Sequence, residues 1–221
     1  MKLLEICAGS AELSLYAKTK GIKTTTLDIK QFGNIDLIMD AENINIEMLL
    51  MYDVVHFGTM CTTYSLAACG HHRNLDYSPK TELGIKCDRI NKKIVDLFKQ
   101  VEKINPNFIW YIENPRGVLR KMSFMRGLDR TTITYCSYGD SRMKPTDIWS
   151  NNLFDMFNLD GWQKKEMCFN GNKKCQHEAA PRGSKTGTQG LKDNHERSKM
   201  PQQLIKSIID KTQEKYKKLT T

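Results

Sequence analysis

The sequence predicts an α/β fold built on a parallel sheet, and three features carry that prediction. Short apolar runs recur along the chain, each closed by turn residues. Stretches with helical apolar spacing lie between several of them. Polar residues suited to chemistry fall just past the ends of those runs. Strands alternating with helices pair in parallel, and in such sheets ligands gather at the carboxyl ends of the strands.

Lys2 to Cys7 reads as the first buried strand, closed by Ala8, Gly9 and Ser10. Ala11 to Lys20 has helical spacing, with Leu13, Tyr16 and Ala17 on one face and Gly21 as its stop. A strand, a small-residue turn and a helix let backbone N–H groups approach an anionic or nucleoside ligand. Lys23 to Leu27 predicts a second strand ending in Asp28, placed to accept from ribose hydroxyls. Ile35 to Met39 predicts a third, ending in Asp40, placed to receive an adenine amino group. The bland alternative for either aspartate is a helix cap or turn residue.

Val54, Val55 and Phe57 form the next buried strand, broken by Gly58, and Cys61 is left in the turn beyond it. Taken alone, a free cysteine is more often a small buried filler than a nucleophile. The polar ACGHHRNLDYSPK stretch then reads as a long mobile loop beside Cys61, and the paired His71 and His72 do not make a metal site. Ile85 to Ile104 is an amphipathic helix. Asn107 to Ile112 is a strand leading into Glu113, Asn114 and Pro115. A glutamate emerging from buried WYI is partly desolvated, which raises its pKa and suits it to donating a proton near neutral pH. Thr131 to Cys136 is the last strand, and Arg142 and Lys144 alternate after it so that both cations face one side of an extended segment. Pro201 opens a final amphipathic helix, with Leu204, Ile205, Ile208 and Ile209 facing the core.

Composition narrows the function. The chain has 221 residues, 39% hydrophobic and 27% charged, enough for one sizeable core. No apolar run approaches a bilayer's thickness and no secretory signal is seen. The seven scattered cysteines fit a reduced, intracellular protein. Of the net charge of +9, six units fall in residues 151–221, with fourteen Lys and Arg against eight Asp and Glu. A basic lobe on a nearly balanced core favours a polyanionic partner such as nucleic acid. Residues 151–195 are basic, small and loop-like, as a segment following a nucleic-acid backbone would be. Cys168, Cys175 and His177, with a fourth ligand such as His195, are loosely spaced for zinc, and no metal site is assigned on that spacing.

Taken in order, these residues resemble the C5-cytosine DNA methyltransferase family across nearly the whole chain. EICAGSA (residues 5–11) resembles that family's first motif, GTMCTTYSLA (58–67) its catalytic loop, and ENP (113–115) the motif whose glutamate holds the cytosine. Arg142 and Lys144 match its alternating basic pair, and MPQQLIKSII (200–209) resembles its last motif. Met60, Thr62 and Ala11 stand where the family usually has proline, glutamine and glycine; Lys144 replaces the second arginine, and Ser198-Lys199 a Gly-Asn. None of these changes removes a chemical group the reaction requires. Compact members of this kind are similar to those carried by phages and other viruses.

The resemblance implies a Rossmann-like, S-adenosylmethionine-dependent methyltransferase fold with a small, loop-rich target-recognition region. It divides the chain into a catalytic and cofactor-binding domain (1–150), a short basic recognition region (151–195) and a C-terminal helix packing back (196–221). It implies Cys61 as nucleophile and Glu113, Arg142 and Lys144 as its catalytic partners. Cofactor contacts fall to Glu5, Cys7, Ala8, Gly9, Ser10, Asp28, Ile29, Asp40, Ala41 and Gly58, and substrate contacts to Ser65, Asn114, Pro115 and Arg182. The expected activity is DNA (cytosine-5) methylation of double-stranded DNA by a monomer, in a host cytoplasm or nucleus. The alternatives are an RNA (tRNA) cytosine-5 methyltransferase and a catalytically inactive nucleic-acid-binding module.

Overall fold

Strands that alternate in sequence between two apolar faces must be covered on both, and this chain is built that way. In the computed structural model, which describes residues 1–178 and 194–220, β1 (Lys2–Ile6) lies between β2 (Lys23–Asp28) and β4 (Val54–Gly58), parallel to both. The two-residue β3 (Leu37–Ile38) extends the sheet beyond β2, and β5 (Ile109–Pro115) pairs in parallel with β4. β7 (Pro145–Ser150) is antiparallel to both β5 and the edge strand β6 (Arg130–Thr134). The resulting order is β3-β2-β1-β4-β5-β7-β6. This is the Rossmann-like α/β fold expected from the sequence.

Alternation along each strand decides which helix covers which face. Leu3, Val54, Ile109 and Tyr111 face α1 (Glu12–Thr19) and α6 (Gln202–Thr220), whose Leu13, Ala17, Leu204, Ile205, Ile208 and Ile209 complete one core. Leu4, Val55, Trp110 and Ile112 face α4 (Glu82–Ile104), whose Ile90, Ile94, Leu97, Phe98 and Val101 fill the other. Thr81 caps α4, its hydroxyl accepting from the Gly84 N–H at 3.1 Å. Each fully buried Leu or Ile contributes roughly 1.5–3 kcal/mol.

The strand order reverses between β1 and β4, which opens a crevice at their carboxyl ends. Ile6 pairs with Phe57, so the turn after β1 and the turn after β4 emerge side by side. A Cβ on Gly58 would lie 3.4 Å from the Cys7 carbonyl oxygen, in ordinary contact, so the two turns already run close together.

Three parts of the chain differ from expectation. β7 begins at Pro145, where the sequence reads as loop, and Glu113 to Pro115 belong to β5 itself. The strand expected over Thr131 to Cys136 ends at Thr134, and Tyr135–Tyr138 turn as a 3-10 helix. The segment after Cys61 is pinned rather than mobile, and it contains a short helix α3 (Cys69–His72). Its anchor is Arg73, whose side chain is fully buried. Arg73 donates to both carboxylate oxygens of Asp88 on α4 at 2.7 and 3.1 Å and to the Thr63 carbonyl at 2.8 Å. Its guanidinium lies 4.2 Å from the centre of the Tyr64 ring, and the Tyr64 hydroxyl donates to Asp88 at 2.7 Å. Val118 N–H then ties the Tyr64 carbonyl to the turn after β5 at 2.8 Å. A Cβ on Gly117 would come within 2.2 Å of that carbonyl oxygen.

Removing one member of a buried ion pair strands the other's charge. Asp88→Ala is therefore expected to lower unfolding free energy in urea by about 3 kcal/mol, at the low end because Asp88 keeps some solvent contact. A loss below about 1 kcal/mol would show that the pair does not anchor the Cys61 loop.

Candidate active site

The turn after β1 bends sharply. Cys7, Gly9 and Ala11 all take left-handed φ values, 55°, 54° and 56°. Two of the three carry side chains, and such strain collects where a turn must close around something. Ala11 holds this conformation while its methyl is buried with Ala8 and Ile35, which offsets part of the cost of not being glycine. Ala8 N–H donates to the Leu27 carbonyl at 3.1 Å and Gly9 N–H to Asp28 Oδ2 at 3.0 Å, so β2 holds the turn.

With no capping side chain at Ala11, α1 is capped from β1: Glu5 accepts the Ser14 N–H at 2.9 Å. Burial pushes the Glu5 carboxyl up to about 7, against the lowering effect of its bonds to Ser14. Burial pushes the Cys7 thiol up to about 12, with the Asp28 and Asp40 charges adding to it. Cys7, Asp28 and Asp40 thus share one electrostatic neighbourhood at the strand ends.

Asp28 is buried and also accepts the Lys30 N–H at 3.1 Å. Asp40 caps the 3-10 turn Ala41–Asn43 through the Glu42 N–H at 3.0 Å and pairs with Lys86 at 2.6 Å. The Lys86 bond is the chief reason its carboxyl sits below the usual range. Ala41 is buried under that turn, whereas Ile29 is 55% exposed, a free apolar edge beside Asp28. The donor set fits an adenosyl group. Two strand-end carboxylates would accept from its hydroxyls and amine, Ile29 offers an apolar surface, and nothing lies within 4 Å of where a Gly9 Cβ would be.

Gly58 pairs with Glu113 in the β4–β5 ladder, which sets Cys61 and Glu113 over the same end of the sheet. Thr59 stitches the two ends together. Its N–H and its hydroxyl both donate to the Glu113 carbonyl, at 3.1 and 3.3 Å, and Asn114 Nδ2 donates to the same hydroxyl. Pro115 closes the strand opposite Thr146. Ser65 N–H donates to the Cys61 carbonyl at 2.9 Å, shaping the turn that carries the thiol.

Glu113 is buried, and burial raises its pKa, opposed by Lys144 and by a 3.0 Å hydrogen bond from the Tyr135 hydroxyl to Oε1. Desolvation by the surrounding protein raises the Cys61 thiol although its residue has an exposed side; Glu113 adds to the rise, and Lys144 and Arg197 pull it down. Burial lowers the Lys144 pKa, while Glu113 and Cys61 hold it up. Thiol, carboxyl and ammonium therefore form one coupled group.

Arg142 meets this group only at its edge, lowering the Lys144 pKa and lying over the Tyr135 ring at 5.6 Å. Its guanidinium forks onto Asp140 and donates to the backbone carbonyls of Arg197 at 3.1 Å and Lys199 at 3.2 Å. It is a strut for α5 (Asn194–Ser198) and the residues just after it, and Lys144, which also donates to the Arg197 carbonyl at 3.0 Å, is the cation that acts most strongly on the thiol, ahead of Arg197. Arg182 lies outside the described residues. Sequence reasoning missed Thr59, Tyr135 and Arg197, and the only available signal was that Thr59 and Tyr135 flank turns already singled out. It also missed Cys136, whose sulfur lies with those of Cys168 and Cys175 and a ring nitrogen of His177 within 4.8 Å of one another. Nothing is described of the His195 side chain.

Neither a protein-family model nor a curated protein matches the sequence. Among solved structures, the chain is similar to the Entamoeba histolytica methyltransferase EhMeth, at 13% identity and a TM-score of 0.47 over 68% of this chain. It is also similar to the PH0226 protein from Pyrococcus horikoshii OT3, at 15% identity and a TM-score of 0.32 over 60% of this chain. The matches span 52% and 56% of those two chains. Among the described residues, no helix is long and apolar enough to cross a membrane.

Two outcomes are expected from this geometry. Glu5 binds its proton more tightly folded than unfolded, so its stabilising effect is complete below its ordinary pKa and is lost as pH rises toward about 7. The loss is about 3 kcal/mol at about 1.4 kcal/mol per unit. The stability difference between the wild-type protein and Glu5→Gln, from urea unfolding at pH 5 and pH 8, should therefore shift against the wild type at the higher pH. An unchanged difference would mean that Glu5 is not desolvated. Separately, Lys144→Gln should move the pH profile of Cys61 alkylation by iodoacetamide upward and Glu113→Gln should move it downward, each peptide-mapped by mass spectrometry. Profiles that coincide with the wild type would show that the three groups are not coupled.

Proposed function

We propose that this protein is a DNA (cytosine-5) methyltransferase using S-adenosylmethionine. The observation that carries this reading is the strand register that sets an accessible thiol, Cys61, and a buried carboxyl, Glu113, over one end of the sheet, with the half-buried ammonium of Lys144 acting on both. It stands beside the strained turn and strand-end carboxylates on the other side of the same crevice.

C5 of cytosine is a poor nucleophile, and a thiol placed to attack C6 makes it a good one. The Cys61 thiolate forms an S–C6 bond with a base turned out of the duplex, pushing the C5–C6 π pair toward C5 and the ring's N3. Glu113, whose carboxyl burial shifts toward its protonated form, gives a proton to N3 as that charge develops. Tyr135 occupies Oε1, which leaves Oε2 as the oxygen to meet the base. Lys144 favours the thiolate before attack and faces the pyrimidine O2 afterwards. When bound, S-adenosylmethionine supplies an electrophilic methyl group on its sulfonium. Once C5 carries the methyl, its proton passes to water, the electron pair returns to C5–C6, the Cys61 thiolate leaves, and N3 hands its proton back to the Glu113 carboxylate. In the free protein Cys61 stays largely protonated, which keeps the thiol inert until a base arrives. Arg142 acts at one remove, by holding α5 beside Lys144, the residue just before β7.

Duplex DNA carrying 5-fluorocytosine, incubated with the protein and S-adenosylmethionine, tests the reading directly, because fluorine at C5 cannot leave as a cation. A covalent adduct mapped to Cys61, absent in Cys61→Ser, is the expected result. No adduct on any duplex, with one formed on fluorinated tRNA, would replace DNA by RNA as the substrate. Full methylation by Cys61→Ser would overturn the covalent mechanism.

A further inference from the structure

Residues 163–178 run along the protein without a helix or strand of their own, and Lys164, Lys165, Glu166, Phe169, Lys173 and Lys174 in it are exposed. Such a segment has little apolar surface to bury, so something else must hold it. Its backbone is attached to the turn after β6 at several points. Lys165 N–H donates to the Tyr138 hydroxyl at 2.9 Å, and Ser137 Oγ donates to the Glu166 carbonyl at 2.7 Å. Cys168 N–H donates to Thr134 Oγ1 at 2.8 Å, and Glu178 N–H donates to the Ser141 carbonyl at 2.8 Å. These attachments fold the segment over Cys136 and bring Cys168, Cys175 and His177 onto it.

We propose that Cys136, Cys168, Cys175 and His177 form a closed structural zinc site. The four ligand atoms lie within 4.8 Å of one another. Zinc bound tetrahedrally by thiolates and imidazole has S···S edges of about 3.8 Å and S···N edges of about 3.6 Å, given bonds of about 2.3 and 2.05 Å. The Cys168 Sγ to His177 Nδ1 separation is already 3.5 Å. Three soft sulfurs with one imidazole select zinc over hard cations such as magnesium or calcium. Asn172 Nδ2 donates to the Cys168 sulfur at 3.3 Å, the kind of outer hydrogen bond that orients a metal-bound thiolate. The described cysteines are all free, so no disulfide accounts for three of them meeting.

Four protein ligands leave no open position, so the ion's role is to fold the segment rather than to activate water. It joins the turn after β6 to the start of the basic stretch that follows residue 178. Because Cys136 adjoins Tyr135, and Tyr135 holds Glu113, the clamp also fixes the wall of the candidate active site.

The test is independent of whether the protein methylates anything. The full chain, purified without chelator, should carry one zinc per molecule by elemental analysis and native mass spectrometry. Cobalt substitution should give thiolate-to-metal charge-transfer absorption. Cys136→Ala and His177→Ala should each lose the stoichiometric metal, while Cys69→Ser, outside the cluster, should keep it. Should either variant not fold, chelation of the wild type decides: stripping the metal should raise hydrogen exchange across 165–178 and leave β1, β4 and β5 protected. Folded wild-type protein without metal, a disulfide between any two of the three cysteines, or full zinc retention in folded Cys136→Ala would overturn the proposal.

Discussion

The pairing of β4 with β5 is the constraint on which the rest of the candidate site depends. With Gly58 opposite Glu113, a thiol three residues past one strand and a carboxyl at the end of the other must share one end of the sheet. A one-residue slip would turn Glu113 to the opposite face. Thr59 guards against that slip, since both its donors end on the Glu113 carbonyl and its hydroxyl also receives Asn114. Chemistry and register are therefore fixed by the same few hydrogen bonds, and the antiparallel β7 presses Ile148 against Glu113 from the other side.

Around that fixed pair, electrostatics do opposing work. Burial raises the thiol and the carboxyl toward their neutral forms, and Lys144 opposes both while its own charge is disfavoured by the same burial. Placing an ammonium between two acids keeps the cluster near electrical balance whichever group holds the proton. The Arg73–Asp88 pair serves the neighbouring loop differently, as geometry. Two of its hydrogen bonds close on one carboxylate and one on the Thr63 carbonyl, so the turn carrying Cys61 is suspended from α4.

Much of this was legible in the sequence, and what was not has a physical reason. Apolar runs such as LLEI and FIWYI announce buried parallel strands, and the spacing of Ile90, Ile94, Phe98 and Val101 announces α4. Cys61, Glu113, Asp28 and Asp40 stand out because each follows such a run. β7 was hidden because Pro145 and the polar residues before it read as loop, and because an antiparallel insertion draws its order from tertiary pairing. The direction of Arg142 was equally hidden: alternation says that Arg142 and Lys144 share a side, but not that α5 would take up one guanidinium. Cys136 lies more than thirty residues before Cys168, and no local spacing announces a partner across a strand and a loop. Arg73 read as part of a solvated loop because its acid, Asp88, lies a turn into the next helix.

The clasp between α1 and α6 bears on how the chain acquires its shape during synthesis. Tyr16 donates to Asp210 at 3.1 Å across 194 residues of sequence, Lys20 pairs with the same carboxylate at 3.0 Å, and Gln202 reaches Glu12 at 2.8 Å. The sheet face formed by Leu3, Val54 and Ile109 is thus left half-roofed until residues 202–220 have been translated. Contacts so distant in sequence form late, because a long loop must close before they are rewarded. At a ribosomal pace of about 5–20 residues per second, the nascent chain carries that uncovered apolar face for roughly 5–20 seconds after Ile109 is made.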